Sequence, residues 1–116
     1  MIIKYPGQLN EAEIQAFLHM DLLALSIDSR MEVKYQTQEA KYKPRVQFAR
    51  FDIVIFKDKV AQCIVEVKGP KRNGKIRATG LQKQLRKYGK FNLPIFTCLG
   101  KTEIKKTVIE VQELLN

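Results

Sequence analysis

The chain has few of the residues that build metal-thiolate or disulfide proteins. Among its 116 residues are two cysteines and a single histidine. Cys63 and Cys98 each sit inside an apolar run, where a free thiol behaves as a small core residue, and no further cysteine completes a zinc-ligand spacing. With His19 the only histidine, a zinc site is not expected. His19, the lone imidazole, is expected to satisfy a local hydrogen bond rather than act as a base. Long apolar runs are also missing. The opening MIIKYPG is too short for the apolar region of a signal peptide, and nothing later approaches the roughly 20 apolar residues of a membrane span. A cytoplasmic protein without membrane contact is the expectation.

Acidic residues are in deficit. Twelve Asp and Glu stand against twenty-one Lys and Arg, a formal charge of +9. Such a surplus attracts polyanions and releases their counterions, which makes DNA the natural partner class. With 45% hydrophobic residues in 116, there is material for one core, so residues 1–116 are read as one domain.

Local patterning predicts the order α-β-β-β-α-β-α, an α/β (α+β) chain with a central mixed sheet flanked by helices. Asn10 followed by Glu11-Ala12-Glu13 reads as a helix start, with Ile14, Leu18, Leu22 and Leu25 as its core stripe. Val33 and Tyr35 mark a half-buried strand over Met31 to Gln38. Phe51 to Phe56 and Ala61 to Val67 read as a hairpin around a three-residue Lys57-Asp58-Lys59 loop, both strands apolar enough to be covered on two faces. Gly69 to Gly80 reads as a basic loop. A helix carrying Leu81, Leu85 and Tyr88 follows. Ile95 to Leu99 reads as a short strand, and Ile104, Val108, Val111 and Leu115 mark a last helix.

The chemistry centres on Glu66-Val67-Lys68. One intervening residue in a strand puts both charged side chains on the same face. Asp52, fourteen residues earlier on the preceding strand, comes beside Glu66 if the loop is odd-numbered or a bulge intervenes. Two neighbouring carboxylates repel, and a hard divalent cation removes the penalty, which favours Mg2+ (or Mn2+) over zinc. Lys68 would then orient a nucleophile or meet charge developing on phosphorus. Glu32-Val33-Lys34 repeats the triplet without the upstream aspartate or the basic loop, so the triplet alone is not diagnostic.

Asp52 within Arg50-Phe51-Asp52-Ile53-Val54-Ile55-Phe56, together with Ile64-Val65-Glu66-Val67-Lys68, resembles the PD-(D/E)XK nuclease superfamily. The resemblance is greatest to the N-terminal nuclease domain of type I restriction enzyme motor subunits and its stand-alone relatives, and it covers about residues 11 to 100. Unlike the strict motif, no proline precedes Asp52. The resemblance implies a restriction-endonuclease-like αβββαβ(α) core and metal-dependent hydrolysis of DNA phosphodiester bonds. It also implies that Gln84 and Tyr88, one helical turn apart, support the site. It further calls for an acid on the first helix as a third metal ligand. Glu11 is the first choice and Glu13 the second, although either could simply cap the helix. Lys71, Arg72, Lys75 and Arg77 of the basic loop, with Lys83 and Lys87 of the following helix, are the candidate phosphate contacts. Three functions stay open: an active nuclease, a DNA-binding or accessory subunit that has kept the fold without turnover, and a Holliday-junction resolvase. The resolvase would require a homodimer. No motor domain fits in this length, so coupling to translocation would need a larger restriction or repair complex.

Overall fold

A computed structural model of the chain describes residues 7–36, 48–70 and 91–116. Helix α1 runs Glu11–Ala24. Its start is a reciprocal capping box: Glu13 N donates to Asn10 Oδ1 (2.8 Å) and Asn10 N to Glu13 Oε1 (3.1 Å), which satisfies two otherwise unpaired amides. It ends at a Schellman turn. Ile27 N donates to Leu22 O and Ser26 N to Leu23 O, with Ser26 at φ 60°. That tight exit brings Ile27 onto the core and starts strand β1 at once, Asp28–Gln36, three residues before the expected Met31. Leu25, expected in the core stripe, is the capping residue and is 47% exposed, because the turn swings it off the buried face.

Strands β2 (Phe48–Lys57) and β3 (Val60–Lys68) form the hairpin, and β4 (Ile95–Leu99) leads through a 3-10 turn, Lys101–Glu103, into helix α2, Ile104–Leu115. The sheet order is β1-β2-β3-β4, antiparallel for the first two pairings and parallel for β3 with β4. A parallel pair needs a long crossover, and residues 69–94 supply it. The expected basic loop beyond Pro70 and the helix through Leu85 fall outside the described residues. The architecture is thus α+β: a four-stranded mixed sheet with two described helices.

The β2–β3 connection departs from expectation. Lys57 pairs with Val60, so the turn is the two-residue Asp58-Lys59 rather than a three-residue loop. Both turn residues lie at positive φ (51° and 66°), the conformation that matches the twist of a tight hairpin. An even loop alone would put Asp52 and Glu66 on opposite faces. The register then shifts, from Phe56↔Ala61 to Ile55↔Cys63. Gln62 is the extra residue of a β-bulge, and from Cys63 onward the parity is restored.

Both helices pack on one face of the sheet. Ile53, Ile55, Cys63, Val65, Val67 and Cys98 meet Leu9, Ile14, Leu18 and Leu22 around α1 and Ile104, Val108 and Val111 on α2. Each such aliphatic side chain, fully buried, contributes about 1.5–3 kcal/mol. The other face carries a smaller cluster built on Phe51, Val54 and Ile64. There Tyr35 stacks on Phe51 at 4.1 Å between centroids, and Phe91 stands edge-on to both. The two thiols are core residues, as their apolar surroundings imply. Burial pushes Cys63 up to about 12 and Cys98 up to about 11, values at which neither ionises near neutral pH. Among the described residues no helix is long and apolar enough to cross a membrane.

Candidate active site

Asp52 sits at a break in the sheet. The β1–β2 ladder pairs Met31 with Ile53 and Val33 with Phe51 but skips Glu32 and Asp52, and the β2–β3 ladder ends at Ile53↔Val65. The break has a backbone cause. Glu32 adopts φ 56°, a left-handed conformation costing a non-glycine residue roughly 1–2 kcal/mol. Side chains take over the bonding that the ladder gives up. Asp52 Oδ2 accepts from Val67 N at 2.8 Å, and the Asp52 carbonyl accepts from Gln15 Nε2 of α1 at 2.8 Å.

The restored parity of β3 brings Glu66 across from Asp52. Glu66 is only 3% exposed, and its Oε1 lies 3.7 Å from Lys68 Nζ. The Asp52 and Glu66 carboxyls are close enough to influence one another's ionisation. Desolvation is the main reason the Asp52 carboxyl is held above its ordinary range. The nearby negative charge of Glu32 adds to it, against the opposing pull of the Val67 amide, the Glu66 hydrogen bond and the Lys68 cation. At the end of β3 the Lys68 carbonyl accepts from Gly100 N at 2.9 Å, anchoring the lysine's backbone to the start of the 3-10 turn.

The first turn of α1 meets this same end of β3. Gly69 lies so close to the helix that an added Cβ would stand 2.4 Å from Glu11 N and 2.6 Å from its Cα. Only glycine permits that approach. The Glu11 carboxyl is raised by partial burial and by Asp52, while Lys68 opposes the rise. Glu11 therefore lies within the field of Asp52 and Lys68. Glu13, the second choice for the helix acid, is committed to the capping box.

These donors suit a hard divalent cation. With one Asp52 oxygen tied to Val67, the other, together with the Glu66 carboxylate, offers oxygen ligands whose mutual repulsion a cation would relieve. Among the described residues no three of Asp, Glu, His or Cys form a ready-made ligand cage. Mg2+ does not require one, since it usually keeps several waters and takes one or two carboxylates with a substrate phosphate.

The structure thus brings Asp52, Glu66, Lys68 and Glu11 together. Gln84, Tyr88, Lys71, Arg72, Lys75, Arg77, Lys83 and Lys87 lie outside the described residues. His19 bonds Ser29 through Nδ1 at 2.8 Å, away from this group. Sequence reasoning passed over Gln15 and Glu32. Gln15 follows Glu11 by four residues, so helical spacing alone puts both on one face, and an amide beside Ile14 and Leu18 was the available signal. Glu32 was set aside as a duplicate triplet, and its left-handed backbone has no signature in the sequence. No family model matches the chain, and no curated protein or solved structure matches it.

Proposed function

We propose that the protein is a Mg2+-dependent nuclease hydrolysing DNA phosphodiester bonds, built on a restriction-endonuclease-like core. The observation that carries this reading is the desolvated Asp52–Glu66 carboxyl pair on adjacent strands with the Lys68 ammonium 3.7 Å from Glu66. A carboxyl pair alone has structural explanations. A carboxyl pair, an amine and a net charge of +9 together match the demands of phosphodiester hydrolysis. Asp52 and Glu66 would hold the ion, with Glu11 at the edge of the same site. The ion would supply Lewis acidity toward a phosphate oxygen and lower the pKa of a bound water.

The remaining work falls to the chain. The Val67 amide fixes the Asp52 carboxylate, so it need not reorganise when substrate arrives. Lys68, paired with Glu66 and held at its backbone by Gly100, orients the attacking water or neutralises charge gathering on phosphorus. The basic residues would bind the backbone without reading bases.

The test is incubation of wild type, Lys68→Ala and Asp52→Asn with linear, circular and branched DNA in Mg2+, Mn2+ or chelator. Wild type should cleave with metal and stop with chelator, and Lys68→Ala should be slower by about 10²–10³-fold. Failure of wild type on every substrate, or equal cleavage by Lys68→Ala, contradicts the proposal. DNA retained without cleavage would favour the non-cleaving binding subunit instead.

A further inference from the structure

We propose that Gln15 is a positioning residue for Asp52, clamping β1 and β2 at the break in the sheet so that the Asp52 carboxylate is aimed at Glu66. The inference rests on the reading of Asp52 and Glu66 as the reactive centre, and it gives a role to a residue outside every motif. Gln15 is 8% exposed, flanked in α1 by buried Ile14 and followed one turn later by Leu18. A buried amide on a core-facing helix is costly unless bonded, and Gln15 uses its amide nitrogen twice. Nε2 donates to Glu32 Oε1 at 3.0 Å and to the Asp52 carbonyl at 2.8 Å.

The two acceptors are the two residues that the β1–β2 ladder skips. Glu32, at φ 56°, cannot offer normal ladder geometry, so the Asp52 carbonyl loses its strand partner and takes Gln15 instead. With the Asp52 backbone held from the helix side, its carboxylate reaches across to Val67 N at 2.8 Å. One amide therefore fixes both ends of the distortion. An apolar residue of the same size would fill the space and leave the Asp52 carbonyl unpaired.

The experiment reads the Val67 amide first, because it reports the Asp52 carboxylate without metal, substrate or turnover. Amide exchange is measured in wild type, Gln15→Met and Glu32→Gln, the last retaining an oxygen that accepts from Gln15. In Gln15→Met, Val67 should exchange at least about tenfold faster while the amides of Ile55 and Cys63 keep their protection. Glu32→Gln should stay within about threefold of wild type. In the cleavage assay, Gln15→Met should raise the half-saturating Mg2+ concentration by about 10–100-fold. Unchanged Val67 exchange overturns the proposal. So does uniform loss of protection across β2 and β3, the mark of mere packing. If Gln15→Met fails to fold, Glu32→Ala cuts one arm of the clamp at an exposed side chain, and Val67 must again exchange faster for the proposal to stand. Should wild type cleave no DNA while Val67 responds as expected, the clamp survives and the nuclease reading falls.

Discussion

Asp52 is a carboxylate in a place that resists charge, and that has a consequence for stability. Asp52 and Glu11 are both raised above their ordinary values, in each case mainly by burial. The folded chain therefore binds these protons more tightly than the unfolded chain. Stability without metal is full below the unfolded values and falls as pH rises through the folded ones. Asp52→Asn keeps an oxygen for the Val67 amide and removes the charge. It should be more stable than wild type at pH 7 by about 0.5–2 kcal/mol while losing cleavage, the usual trade at a reactive site. Urea denaturation at pH 7 and near pH 3.5 checks this, and the advantage should vanish at the lower pH. Gly69→Ala tests the contact with α1. Its Cβ would collide with the Glu11 backbone, and the shift should cost about 1–3 kcal/mol, with cleavage reduced further than stability loss explains.

At the level of elements, the hairpin decides whether the site exists. Its turn places Lys59 at φ 66°, so Lys59→Gly should stabilise the fold by about 0.5–1 kcal/mol in thermal denaturation. Deleting Gln62 removes the bulge yet keeps Ile55 opposite Cys63 and Ile53 opposite Val65, so Asp52 and Glu66 should stay on one face. The expected outcome is a cooperative thermal unfolding transition with the core face still apolar, and loss of that transition would contradict this register. Both features bear on what was legible beforehand. The hydrophobic spacing of Ile14, Leu18 and Leu22, and the continuous runs around Ile53 and Val65, mark helices and strands because burial imposes those periods. The requirement that an odd loop or a bulge join Asp52 to Glu66 was also legible, as a matter of parity. The choice between them was not. Asp-Lys is a poor tight turn by composition, and its geometry is set by strand twist and by packing across the sheet. Glu32 was hidden for a similar reason, because a left-handed residue mid-strand is stabilised by a partner from α1, seventeen residues away.

On the scale of the whole molecule, the proposed nuclease would use its charge surplus and its acidic site for different tasks. Under the proposed function Asp52, Glu66 and Glu11 would serve the cation, and the net charge of +9 would serve the polyanion. DNA binding measured at rising salt should weaken steeply, with a log–log slope set by the number of phosphates neutralised. A slope near zero would remove the electrostatic part of the account. The proposed site would make Asp52 and Glu66 joint ligands of one divalent ion. Calorimetric titration of the protein with Mn2+ tests it most directly, in wild type, Asp52→Asn and Glu66→Gln, each verified as folded. The expected result is one ion bound by wild type and a loss of that binding in both variants. Absence of binding to wild type, or equal binding by all three, would contradict it.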